Sequence, residues 1–154
     1  EIKRLITVGK TGKRTPTELY RELGLVVWDK IGMARDEKGL NEAIAKIKDL
    51  QNEFDTNLML HDNEGLNTSL QTAGRLGDFL GLAHLMATDA LERRESCGGH
   101  FRVESQTPEG EAKRDDENYA YVSAWEFKGK SAKPTLHKEK LIFENVKLSV
   151  RSYK

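Results

Sequence analysis

Three stretches of this chain repeat apolar residues every three or four positions against a polar background. The first is Leu19, Leu23, Val26, Val27 and Ile31; the second is Leu40, Ile44, Ile47, Leu50, Phe54 and Leu58. The third runs through Leu66, Leu70, Ala73, Leu76, Leu80, Ala83, Ala87 and Leu91. Such spacing puts each set on one face of a helix. "TPTE", Thr15 to Glu18, supplies a capping hydroxyl, a proline at the first helical position and a glutamate three residues beyond the cap. That capping box predicts a first helix over about Pro16 to Met33, interrupted at "GMARDEKG". The lead-in "EIKRLITVGK" is already amphipathic, with Ile2, Leu5 and Ile6 on one face, and it lacks an initiator Met, which suggests an excised fragment.

Past Gly99 the pattern changes. A polar, turn-rich stretch, "VESQTPEGEAKRDDEN", leads into "YAYVSAWEF", where Tyr119, Tyr121, Ser123, Trp125 and Phe127 alternate with smaller or charged residues. Alternation of that kind reads as a strand. "TLHKEKLIF" is expected to be extended, and Val146, Leu148 and Val150 alternate in the same way. The fold class is therefore mainly α: an antiparallel three-helix bundle, spectrin-repeat-like, followed by a small antiparallel β tail. Residues 1–99 form the bundle with its lead-in, and residues 100–154 form a loop and small sheet packed on it as one structural unit. Two or three strands alone are marginal, so the aromatic face is expected to be covered.

Composition narrows the classes of function. Lys plus Arg and Asp plus Glu number 25 each, so no net field gathers nucleic acid or an anionic membrane surface. No run approaches the roughly 20 apolar residues needed to span a bilayer. A single cysteine forms no internal disulfide and agrees with a reducing compartment. Within the third helix Gly74, Gly77 and Gly81 each cost about 1 kcal/mol relative to Ala. Close approach of another helix backbone is the expected compensation.

The densest chemistry lies in "RRESCGGHFR", Arg93 to Arg102, which joins two arginines, the sole cysteine, two glycines and a histidine. Arginines beside Cys97 could favour a thiolate, with His100 as its base, but no third group is in view to orient the base. Cys97 and His100 have ligand-like spacing, yet His61, His84 and His137 are scattered, and a structural zinc needs four convergent ligands. "VGKTGKRT" lacks the spacing of a phosphate loop, no dinucleotide fingerprint is present, and "RDDEN" lacks the remainder of a calcium loop. The sequence thus assigns no catalytic, cofactor-binding or metal-binding residue.

"RRESCGGHFR" followed by "RDDEN" resembles the C-terminal domain of the flavoprotein subunit of succinate dehydrogenase and fumarate reductase, a family that includes L-aspartate oxidase. The family pattern R-x-E-S-R-G-x-H-x-R, then R-D-D-x-N, falls on Arg93 or Arg94, Glu95, Ser96, Gly98, His100 and Arg102, then Arg114, Asp115, Asp116 and Asn118. Arg94 is taken as the motif arginine. "GMARDEKGL" is similar to the family's arginine-containing turn and "VRSYK" to its closing Arg-x-Tyr; the style is most like the Bacteroidetes-type subunits. Cys97 stands where most relatives have Arg, and a thiol does not replace five N–H donors.

The resemblance implies a parent subunit that binds FAD and interconverts succinate and fumarate. Its flavin cradle and substrate clamp lie in preceding domains, so the fragment itself is expected to hold no cofactor. Implied partners are the FAD-binding and capping domains of the same subunit and an iron-sulfur subunit, with neither nucleic acid nor direct membrane insertion. The implied location is peripheral, on the cytoplasmic face of the inner membrane. The isolated fragment is expected to self-associate through its uncovered face. The ten motif residues are expected to form a structural, interdomain cluster: Arg93, Arg94 or His100 on the last helical carbonyls, Gly98 or Gly99 as a left-handed cap, and Glu95 and Ser96 paired with Arg102 or Arg114. A free-standing helical interaction module is the alternative, and a small thiol enzyme centred on Cys97 a third.

Overall fold

The structure, a computed structural model, describes residues 1–61, 66–129 and 132–149. The polar turn at 62–65, the middle of "GKSAKP", Val150 and the closing Arg-x-Tyr lie outside the described residues. The chain divides into two compact units, Glu1–Glu92 and Arg93–Lys154.

The first unit contains α1 (Ile2–Val8), α2 (Pro16–Lys30), α3 (Glu37–Thr56) and α4 (Thr68–Glu92). The capping box forms: the Glu18 N–H donates to Thr15 Oγ1 at 3.2 Å and the Thr15 N–H to the Glu18 carboxylate at 2.8 Å. α2 stops short of Met33. Arg35 Nε donates to the Ile31 and Gly32 carbonyls at 3.0 and 2.8 Å, satisfying acceptors that a further helical turn would have used. α3 begins before its first periodic leucine because the Asp36 carboxylate accepts from the Gly39 N–H at 2.7 Å, a cap that the hydrophobic spacing does not reveal.

The three long helices run antiparallel in sequence order. Glu22 and Lys30 of α2 pair with Lys46 and Glu42 of α3, so the two helices ascend in opposite directions. Gln51 of α3 donates to the Leu80 carbonyl of α4 at 3.3 Å, while Phe54 abuts Gly77. The predicted stripes meet inside, except that Leu66 precedes α4 and is exposed: Leu19, Leu23, Leu40, Ile47, Leu50, Phe54, Leu76, Leu80, Ala83 and Ala87 are each no more than 5% exposed. Removing that apolar surface from water is what holds the bundle together. α1 adds Leu5 to the same core, and Arg4 reaches Asp55 at 2.6 Å while lying 5.4 Å over the Phe54 ring.

The glycines behave differently from expectation. Only Gly77 is closely covered, and by the Phe54 ring rather than by a helix backbone; a Cβ at Gly74 or Gly81 would meet no described atom within 4 Å. The close backbone approach occurs instead at Gly12, where a Cβ would lie 2.0 Å from the Leu58 carbonyl oxygen. There the link after α1 runs beside residues 57–60, with Arg14 N–H donating to the Asn57 carbonyl and Met59 N–H to the Arg14 carbonyl.

The second unit contains the one-turn helix α5 (Asp116–Tyr119) and an antiparallel hairpin of Tyr121–Glu126 with Thr135–Lys140. Tyr121 stands opposite Lys140 and Trp125 opposite Leu136. Tyr121, Ser123 and Trp125 are half-buried while Val122, Ala124 and Glu126 are exposed, the alternation predicted for that strand, but Phe127, expected on the same face, lies past the strand and is exposed. Two details are corrected. Tyr119 belongs to α5, because Asp115 caps that turn by accepting from the Asn118 N–H. The described residues 141–149 form no third strand: a bend at 144–146 breaks the extended run, and Ile142, Val146 and Leu148 remain exposed.

Candidate functional site

All ten motif residues lie in the second unit, immediately after α4. Its centre is Ser96, fully buried, which fastens two strands of chain through both of its polar groups. Its N–H donates to the Lys113 carbonyl at 2.9 Å; its hydroxyl donates to the Arg102 carbonyl at 3.1 Å and accepts from the Arg102 N–H at 2.8 Å. A serine fits because one small side chain both donates and accepts.

Between Ser96 and Arg102 the chain reverses in a two-residue turn. Cys97 and His100 exchange backbone hydrogen bonds of 2.8 and 3.0 Å around Gly98 and Gly99. Gly98 has φ +59°, and Gly99 is not in the positive-φ region, the pattern of a type II′ hairpin. The left-handed glycine expected as a helix cap is thus a hairpin tip. His100 folds back so that Nε2 lies 2.9 Å from the Arg93 carbonyl. A carbonyl only accepts, so Nε2 carries the hydrogen. That commitment directs the ring nitrogen to backbone, while the Cys97 thiol is exposed at the turn.

Glu95, 3% exposed, uses its two oxygens separately: one accepts from Arg93 Nη1 at 2.8 Å and the other from the Asp115 N–H at 2.8 Å. Burial of a carboxylate is tolerable when charge and hydrogen bonds are both satisfied. Arg93 also donates to the carbonyls of Tyr119 and Tyr121 at 3.0 and 3.1 Å, and its guanidinium lies 5.6 and 4.9 Å from their ring centroids. One planar, five-donor group therefore ties together the segment after α4, the end of α5 and the first strand of the hairpin. The cluster is built on Arg93 rather than Arg94, whose side chain is exposed and whose carbonyl accepts from Ser105 Oγ.

Arg102, 3% exposed, directs Nε to Glu104 at 3.2 Å and Nη1 to the Arg93 carbonyl at 3.4 Å. Arg114 pairs with Asp116, Nε at 2.9 Å, and donates to the Ser149 carbonyl at 2.9 Å. The side-chain bonds to Asp116 hold the Arg114 guanidinium above its ordinary range. Glu95 thus takes Arg93 as its partner in place of Arg102 or Arg114, because the short Arg93-x-Glu95 spacing brings the two together without a long reach. Asp115 caps α5, and Asn118 returns two side-chain hydrogen bonds to it at 3.1 and 2.9 Å. Glu104, Ser105, Lys113, Tyr119 and Tyr121 were not foreseen. Only the alternating aromatics gave any signal, since a backbone acceptor has no residue-type signature.

Among the described residues no group of three or more His, Cys, Asp and Glu is arranged to hold a metal ion. No described helix is long and apolar enough to cross a membrane. The cluster is held by ion pairs, of which Arg93–Glu95 is the most buried, and by side-chain bonds to backbone.

Residues 20–153 match the family described as fumarate reductase flavoprotein C-term. The chain belongs to that family. It is 31% identical over 109 residues to the fumarate reductase flavoprotein subunit of Haemophilus influenzae, covering 70% of this chain and 17% of the relative. It is 33% identical over 111 residues to the 8-methylmenaquinol:fumarate reductase flavoprotein subunit of Wolinella succinogenes, covering 70% and 17%. Its fold superposes on a chain of Escherichia coli quinol fumarate reductase with a TM-score of 0.80 at 25% identity, covering 96% of this chain and 25% of that one. The chain therefore spans about a sixth of the length of the curated relatives it matches.

Proposed function

We propose that this chain is the structural C-terminal portion of an FAD-dependent flavoprotein subunit that interconverts succinate and fumarate. In this reading it braces the FAD-binding and capping domains, sits in a complex with an iron-sulfur subunit, and is held peripherally at the cytoplasmic face of the inner membrane. The motif residues, with Arg93 in place of Arg94, act by shaping the fold around Ser96. The observation that carries the reading is the match over residues 20–153, which includes the whole buried cluster. So extensive a match favours it over a free-standing helical interaction module.

The described residues do not fit a flavin. Dinucleotide binding needs glycines that leave room for a pyrophosphate at a helix start. Here the space beside Gly9 is filled by Leu60 and that beside Gly12 by the Leu58 backbone, while Gly98 and Gly99 form an exposed hairpin tip. Flavin binding and hydride transfer therefore belong to the remainder of the subunit, and this chain contributes rigidity.

The test is to purify the natural polypeptide that carries this sequence and record its visible flavin absorbance and succinate oxidation, beside those of the 154-residue chain alone. The expected result is flavin and activity in the long polypeptide and neither in the short chain. A natural product of this chain's length without flavin overturns the proposal.

A further inference from the structure

We infer that the outward face shared by α2 and α4 is the seat of the remainder of the flavoprotein subunit, an inference that rests on the function proposed above. The three long helices differ sharply in what they show to solvent. α2 exposes Tyr20, Leu25 and Trp28, the last two at 71% and 85%, and α4 exposes Phe79, Leu82 and Met86. The 20 residues of α3 expose no large hydrophobic at all, and apart from Ala45 and Thr56 their outward positions carry Lys, Asp, Glu and Asn. α3 is thus the water face of the bundle.

The two apolar sets meet at one aromatic contact, while Leu25 and Trp28 also line a groove beside Glu42, Ala43 and Lys46 of α3. The Tyr20 and Phe79 rings meet at a centroid separation of 5.7 Å and a tilt of 58°, joining the α2 strip to the α4 strip. Contiguous apolar patches rimmed by charge mark interaction sites, and tryptophan is the residue most often found to anchor them. Gly24 and Gly81 lie on exposed positions of the same two helices, and a Cβ at either would meet no described atom within 4 Å. Open backbone beside exposed aromatics admits a closely packed chain.

The occupant follows from length. The chain aligns over 96% of itself with only 25% of the E. coli chain, so three-quarters of such a polypeptide lies elsewhere in the same covalent molecule. A tethered partner meets the face at an effective concentration that a second copy or a separate subunit does not match.

The experiment replaces Trp28 with a photo-cross-linking benzoylphenylalanine in the natural, flavin-loaded subunit, with the same substitution at Lys38, 87% exposed on α3, as a control. The inference expects position 28 to cross-link within its own polypeptide, to the part outside this sequence, and position 38 not to do so. A flavin-loaded subunit in which position 28 links to a second copy, to another subunit or to nothing overturns the assignment of this face and leaves the proposed function standing. A flavin-free product of this chain's length overturns both, and the absorbance of the same sample tells the two failures apart.

Discussion

Arg93 Nη1 donates to the buried carboxylate of Glu95 at 2.8 Å, and the other Glu95 oxygen accepts from the Asp115 backbone at the same distance. The pair joins two parts of the chain twenty residues apart through a single side chain. Glu95→Ala takes the acceptor from the Asp115 N–H and the opposite charge from Arg93, which keeps its bonds to the Tyr119 and Tyr121 carbonyls. Stability of the second unit is expected to fall by about 1–3 kcal/mol. Urea denaturation followed by Trp125 fluorescence in a Trp28→Phe background measures it, and an unchanged midpoint would rule the network out.

Ser96→Ala removes one donor and one acceptor at the Arg102 backbone while leaving a cavity smaller than a water. A loss of about 1–2 kcal/mol is expected. Amide exchange at Arg102, whose N–H donates to the serine hydroxyl, should accelerate with it. Unaltered exchange at that amide would show that the serine does not hold the turn.

Two glycines predict opposite signs. Gly12→Ala places a methyl 2.0 Å from the Leu58 carbonyl oxygen and forces the backbones apart, which should destabilise the helical unit by about 1–3 kcal/mol. Gly81→Ala meets no described atom and improves helix propensity, so it should stabilise the 154-residue chain by up to about 1 kcal/mol. Thermal melts of the two variants check both, and a Gly12→Ala melt at the wild-type temperature contradicts the close approach.

Glu22 accepts from Lys46 and from Arg14, and these bonds, Lys46 first, hold its carboxyl below the usual glutamate range. A carboxyl depressed on folding stabilises the native state fully above its unfolded pKa. That contribution disappears as pH falls through the lower, folded pKa. Helical stability measured by urea midpoints should therefore decline below about pH 4.5 more steeply in the wild type than in Glu22→Gln. Parallel declines would remove Glu22 from the acid response.

Much of this was legible beforehand where one physical signal dominated. Periodic apolar residues located the three long helices and their buried faces, and the capping box marked the start of α2 at Pro16. Boundaries set by a side chain bonding to backbone were not legible: α2 ends where Arg35 turns back to the Ile31 and Gly32 carbonyls, acceptors that carry no residue-type signature. The site followed the same rule. Its residue types stood out in the sequence, but the choice of Arg93 over Arg94 depends on which side chain meets the carbonyls of Tyr119 and Tyr121. The glycines of α4 predict the close approach of another helix backbone, and the space beside Gly74 and Gly81, where no described atom lies within 4 Å, is a property of the fold alone.

The proposed role of the cluster from Arg93 to Asn118 is to hold the fold of the second unit together. The direct measurement is Glu95→Gln in the natural flavin-loaded subunit, comparing kcat per bound flavin and KM for succinate with the rate of thermal inactivation. Unchanged kcat and KM with faster inactivation are expected. A reduced kcat per bound flavin at wild-type stability would contradict that role.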